Sequence, residues 1–197
     1  MHYPNFFETV EAITLYDELS DVLGAFNEGI LHVNYLDVVK NAGHSCPTIA
    51  GAYLMAREGL KVLYKNDIAK RGAIKVYFKE AMEEGTTGVV ANIFSLITGA
   101  TDTWGFKGLG GVFARHGLMS FNATIPLHVR LQRVDTGALV DIAYNPSSIE
   151  ADARITSLMS KILTKSATPK EKEIFATLWQ ARVEKILENF DKVILCK

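Results

Sequence analysis

The stretch that follows Cys46-Pro47 constrains the fold more than any other. A proline at the first helical position gives up no hydrogen bond and has its φ already set, so a helix is expected over residues 48–64. Ile49, Tyr53, Leu60 and Tyr64 fall near one face. Ala50, Ala52, Leu54 and Met55 make the first turns apolar all round, and charge enters only at Arg57. A helix without a polar face must be covered on every side. The fold therefore has to wrap the front of this helix and leave its charged back end exposed. Ala50, Gly51, Ala52 and Ala56 permit another backbone to come close.

The neighbouring segments supply the wrapping. Residues 72–79 alternate, with Ile74, Val76 and Phe78 on one side and Lys75, Tyr77 and Lys79 on the other, which is a half-buried strand. Residues 86–98 (TTGVVANIFSLIT) are expected to form a second buried helix, stopped by Gly99. A glycine-rich loop follows over 100–117, then strands over 118–125 and 127–134. Asp135-Thr136-Gly137 is a hairpin turn before a returning strand over 138–144. The order is α-β-α-β-β-β: one parallel crossover and then an antiparallel meander, an α+β fold with a mixed sheet. Ahead of it, residues 10–16 and 30–35 suit strands and 17–26 a short helix. Behind it, residues 149–165 are helical, and Thr168-Pro169-Lys170-Glu171 combines an N-cap, a proline at the first position and a capping-box glutamate. That last helix is expected to run to about Phe190. The expected organisation is a core over 1–145, with 1–42 as an N-terminal extension, and a C-terminal helical hairpin appended over 146–197.

Composition removes several function classes. Lys and Arg total 21 against 22 Asp and Glu, so no clustered basic excess for a nucleic-acid partner is expected. The longest uncharged run, Gly85 to Thr101, is too short and too polar for a membrane span. The opening MHYPNFFETVEA has neither the basic region nor the apolar stretch of a signal peptide. A cytoplasmic protein without a membrane partner is expected. Two cysteines, Cys46 and Cys196, exclude a disulfide framework and a four-cysteine zinc ribbon.

The chemistry-bearing cluster is Gly43-His44-Ser45-Cys46-Pro47. An imidazole and a thiol two residues apart in an extended segment can serve one soft metal ion. Cys46 also sits where a helix begins, and the free N–H groups there favour the thiolate. A buried cysteine capping a helix beside a hydrogen-bonded histidine would leave the same pattern, and spacing alone does not separate the two. His116 follows the glycine-rich loop and is the next histidine of interest; His2, His32 and His128 suit ordinary structural roles. Lys107, in Trp104-Gly105-Phe106-Lys107-Gly108, adds charge to a loop whose backbone suits either an anion nest or plain tight turns. Asn92 and Ser95 interrupt an apolar helix, where they either satisfy neighbouring backbone or line a cavity. Cys196, the penultimate residue, is expected to fray.

The segment Gly43-His44-Ser45-Cys46-Pro47-Thr48, the buried helix behind it, and Thr98-Gly99-Ala100-Thr101 before a glycine-rich loop resemble the FmdE family, named for an accessory component of formylmethanofuran dehydrogenase. The similarity spans roughly residues 35 to 135. It implies an α-β-α-β-β-β core related in fold to the catalytic domain of glyceraldehyde-3-phosphate dehydrogenase. It also implies His44 and Cys46 as metal ligands. Family members often read H-G-H-x-C-P where this chain has Ala42-Gly43-His44. They often carry further cysteines where this chain has Thr86–Val89 and Ala100, and many end in a zinc ribbon that the helical hairpin replaces here. Any remaining ligands would be water, a substrate group, or a side chain such as His116, Asp102 or Glu84. The implied cofactor is a divalent transition metal, zinc first, with nickel or iron as alternatives. Thr87, Asn92 and Lys107 are the pocket candidates for a small-molecule or anionic ligand.

Three functions compete. The first is a metal-binding protein with an open metal and small-molecule site at residues 43–47. The second is a non-catalytic accessory component of a redox complex, since the family's namesake accompanies a molybdenum or tungsten dehydrogenase that carries the chemistry. The third is a metal-free thiol enzyme with Cys46 as nucleophile and His44 or His116 as base. A homodimer is expected, because both hairpin segments carry apolar residues, among them Ile155, Leu158, Phe175, Trp179 and Val183.

Overall fold

The structure is a computed structural model that describes residues 3–197; His2 lies outside the described residues. The chain opens with α1 (Phe6–Thr9), β1 (Ile13–Tyr16), α2 (Glu18–Val22), β2 (Ile30–Val33) and α3 (Tyr35–Ala42). The sequence pattern predicts no helix where α3 stands. Its start is fixed by a capping box in which the Asn34 side chain accepts from the Asp37 N–H and the Asp37 carboxylate accepts from the Asn34 N–H. The strand expected to reach Tyr35 thus stops at Val33, where the cap takes over.

The expected core follows as α4 (Pro47–Tyr64), β3 (Ala69–Lys70), β4 (Ile74–Phe78), α5 (Thr87–Thr98), β5 (Met119–Ser120), β6 (Val129–Arg133) and β7 (Leu139–Tyr144). The fold is α+β. β1 pairs with β2 and β3 in a small mixed sheet, while the larger sheet has the order β5-β4-β6-β7-β8, with β8 being Ile194–Cys196. α5 carries the parallel crossover from β4 to β5. β6 does not extend a meander from β5; it pairs antiparallel with the other edge of β4, and β7 and β8 continue from there. Only two residues of the strand expected over 118–125 join the sheet, through Val76↔Met119 and Tyr77↔Ser120.

α4 is the central element, packed between the larger sheet and helices α3 and α5, with α7 (Pro169–Glu188) over it as well. Ile49, Ala50, Ala52, Tyr53, Leu54 and Ala56 have no exposed surface. Fully burying a Leu- or Ile-sized side chain stabilises by about 1.5–3 kcal/mol, so this helix alone accounts for much of the hydrophobic driving force. Its back half is more deeply covered than its charges suggest. Arg57 is only 4% exposed, pairs with Glu58 at 2.5 Å and lies over the Phe190 ring at 4.8 Å. At Gly51 a side chain would run into the Tyr144 ring, so β7 approaches α4 as closely as that stretch of small residues permits.

The C-terminal hairpin pairs α6 (Arg154–Leu163) with α7, whose capping box of Thr168 and Glu171 is as expected. α7 ends at Glu188 and gives way to α8 (Phe190–Val193) and β8. Cys196 is therefore not frayed: it sits in β8 opposite Ile142 and is partly buried. Val183, Ile186 and Leu187 of α7 join the same hydrophobic cluster as α4. No helix of the described residues is long and apolar enough to cross a membrane.

Candidate functional site

Gly43, in the left-handed conformation, ends α3 and sends the chain into the extended run His44-Ser45-Cys46. His44 is exposed, with Nδ1 3.0 Å from the Ala42 carbonyl oxygen. A carbonyl only accepts, so Nδ1 is the donor, and in the neutral ring Nε2 keeps a free lone pair. Ser45 points inward and is buried, its hydroxyl 3.0 Å from the Tyr35 hydroxyl. Its carbonyl accepts from Trp179 Nε1 at 3.1 Å and Gln180 Nε2 at 3.2 Å. Cys46 is the N-cap residue of α4 in extended conformation, and its side chain makes no capping hydrogen bond. The thiol is thus not spent on the helix. The Tyr144 hydroxyl donates to the Pro47 carbonyl at 2.8 Å. Burial pushes the phenols of Tyr35 and Tyr144 well above the usual tyrosine range, and the nearby Cys46 adds to it. Both stay protonated and fixed as hydrogen-bonding groups.

Tyr144 also forms part of a cleft of about 230 Å³ beside this segment. Its apolar lining is Met55, Phe78, Val90 and Val129, and Thr48, Glu80, Thr86, Thr87 and His128 are polar groups beside Tyr144. Thr48 and Thr87 belong to the first turns of α4 and α5, so two helix N-termini contribute to one cleft. The Thr87 hydroxyl donates to Glu80 Oε2 at 3.0 Å. His128 Nδ1 accepts from the Tyr144 N–H at 3.4 Å, which leaves the proton of the neutral ring on Nε2. A carboxylate acceptor and an imidazole donor beside an apolar lining suit a small polar molecule, and the two side chains suit proton transfer.

The structure distributes the expected residues unevenly. His44 and Cys46 share one segment, and Thr87 lines the cleft. Asn92 is exposed on α5, and Lys107 is exposed in the glycine-rich loop. His116 is exposed at the end of that loop; Asp102 accepts the Gly117 N–H through its carbonyl, and Glu84 is exposed in the turn before α5. Among the described residues no group of three or more His, Cys, Asp or Glu is placed to hold a metal ion, so His116, Asp102 and Glu84 join no such group. No sequence motif singles out Glu80, His128, Tyr144, Tyr35 or Trp179. Only the alternation that puts His128 on the polar side of its strand points toward any of them.

Residues 42–195 match the family described as "FmdE, Molybdenum formylmethanofuran dehydrogenase operon". The match begins at the residue whose carbonyl holds His44 and runs through both hairpin helices into β8. No curated protein matches the chain.

Proposed function

The chain belongs to the FmdE family, and from that premise we propose that residues 43–47 bind a divalent transition metal, zinc first and nickel or iron as alternatives, through His44 Nε2 and Cys46 Sγ. The observation that carries this is the His44–Ala42 contact: a ring nitrogen tied to a backbone carbonyl is how a ligating histidine is commonly oriented and its other nitrogen kept free. The uncapped thiol of Cys46 supports it, because a soft donor stands two residues away at a helix N-terminus. Two protein ligands leave positions for water or a small molecule, and the adjoining cleft with Glu80 and His128 is the place for that molecule. A bound ion would supply Lewis acidity toward an oxygen or nitrogen of that ligand. Glu80 and His128 would orient the ligand and hold or accept its proton, while Phe78, Met55 and Val129 keep bulk water from its apolar part.

The test is metal analysis of the purified protein combined with thiol labelling. Cys196 must first be replaced by Ser, since burial pushes its thiol up to about 11 and makes it a slow, pH-dependent competitor rather than a neutral reference. In that background Cys46 should react slowly with an alkylating reagent and quickly after chelation. His44→Ala should lower metal content and speed labelling. Unchanged metal content in His44→Ala, or Cys46 labelling that ignores the chelator, would refute the proposal.

A homodimer belongs to the same proposal. Its support lies not in the hairpin, whose Val183 and Ile186 are buried against the core, but in the glycine-rich loop. There Trp104 is 58% and Val112 55% exposed, with Phe106 and Leu109 beside them. Light scattering should give twice the 21.7 kDa chain mass; the mass of a single chain would remove the dimer and leave the metal proposal standing.

A further inference from the structure

A second cavity, of about 340 Å³, opens between β3 and the glycine-rich loop, with Lys70, Arg71, Arg115, Phe113, Tyr16 and Glu18 in its wall. Two guanidiniums from distant parts of the chain converge there on one buried carboxylate. Arg71 Nη1 donates to Asp17 Oδ2 at 2.8 Å and Arg115 Nη2 to Oδ1 at 2.6 Å. Each carboxylate oxygen is therefore taken by one arginine, and neither arginine has a carboxylate to itself. Arg71 Nη2 reaches the Leu96 carbonyl at 3.2 Å, but Arg71 Nε is buried with no partner. That nitrogen has almost no accessible surface, so it belongs to the packing behind the cavity wall and not to the cavity itself.

The surroundings hold this arrangement open rather than closing it. Arg115 is fixed through its backbone: its N–H donates to Phe106 O at 2.8 Å, and its carbonyl accepts from the Thr101 N–H and hydroxyl, both at 2.9 Å. Gly72, at φ +82°, has the Arg115 guanidinium lying where a side chain would stand. Phe113 takes a positive φ of 62° in the wall of the same cavity, a conformation that costs a non-glycine residue energy. Lys70 is exposed at the rim and makes no ion pair among the described residues; Glu18 is the only carboxylate among the described residues of the wall itself. Burial holds Arg115 below its usual range despite Asp17, and the charge of Arg71 adds a smaller push the same way.

We propose that this cavity is an oxyanion site, built for the phosphate or carboxylate group of a small molecule. The anion would supply the second negative charge that the two guanidiniums lack and meet Lys70 at the rim. A guanidinium fork matches the paired oxygens of either group. The site shares no wall residue with the cleft beside Cys46 and does not depend on a metal there.

Thermal denaturation and calorimetry with sodium phosphate and with sodium acetate, at ionic strength held constant by sodium chloride, test it. At least one of the two anions should raise the melting temperature saturably. Phosphate alone doing so assigns phosphate esters; acetate alone or both assigns carboxylates. Arg71→Lys keeps the charge facing Asp17 but removes the planar fork, and should weaken binding about tenfold or more, as expected for a lost hydrogen bond to a charged group. Lys70→Gln, which keeps the backbone pairing of β3 with β1 and changes only an exposed side chain, should weaken it several-fold and lower its salt dependence. If neither anion acts beyond sodium chloride, or if both variants bind as the parent does, the proposal fails.

Discussion

Gly51 is the residue through which packing and the site are joined. Its missing side chain admits the Tyr144 ring, and the same tyrosine donates to the Pro47 carbonyl and lines the cleft. Gly51→Ala would gain a little helix propensity and force the ring outward, and overpacking of this kind costs about 1–3 kcal/mol. We expect the variant to unfold at lower denaturant concentration, and the Tyr144 hydrogen bond to be lost. A variant as stable as the parent, measured by chemical denaturation, would mean that β7 shifts away without cost. The segment that carries His44 and Cys46 stands out at this scale by residue type and spacing, which by themselves do not separate a ligand pair from a capping cysteine beside a hydrogen-bonded histidine. Glu80, His128 and Tyr144 do not stand out, because their meeting depends on register: Phe78 lies opposite Val129 and Val129 opposite Ile142, which brings the ends of three strands together.

Among the elements, α7 does more than cover the core, since Trp179 and Gln180 both donate to the buried Ser45 carbonyl. The hairpin thereby holds the segment that carries His44 and Cys46. Replacing both donors, Trp179→Phe with Gln180→Leu, leaves that carbonyl without a partner, at a cost of about 1–3 kcal/mol. The expected outcome is a lower melting temperature and, on the proposal that residues 43–47 bind a metal, a reduced metal content; an unchanged metal content would separate the hairpin from the site. Long periodic segments were readable in advance: α4, β4, α5, β6 and β7 fall within a few residues of their expected places. α3 was hidden because its capping box follows a strand with no spacer. β5 was overestimated because extended, apolar residues do not reveal how many of them find a partner. β8 is three residues long and exists through its pairing with β7, a long-range contact that no local pattern announces.

For the whole molecule, Asp17 is the point where remote parts of the chain are tied together. It caps α2 after β1, and it binds Arg71 beyond β3 and Arg115 in the glycine-rich loop. Burial by itself would raise its pKa, and is the largest influence on it. The hydrogen bond from Arg71, the charge of Arg115 and the Ser20 N–H together outweigh it, so the carboxyl titrates below its ordinary value. In acid the unfolded chain then binds a proton at Asp17 before the folded one does, so stability falls as pH falls. The contribution is complete above the unfolded value, near pH 4, and is lost as pH drops through the lower folded value. Asp17→Asn removes the charge and leaves two arginines sharing a neutral amide. Breaking a buried ion pair in this way costs about 3–5 kcal/mol. Urea denaturation of both proteins from pH 7 down to pH 3 should show that full gap near neutrality and a narrowing one below about pH 4. A gap that stays constant across the range would mean that the charge on Asp17 does not hold these segments together, and that its hydrogen bonds alone suffice.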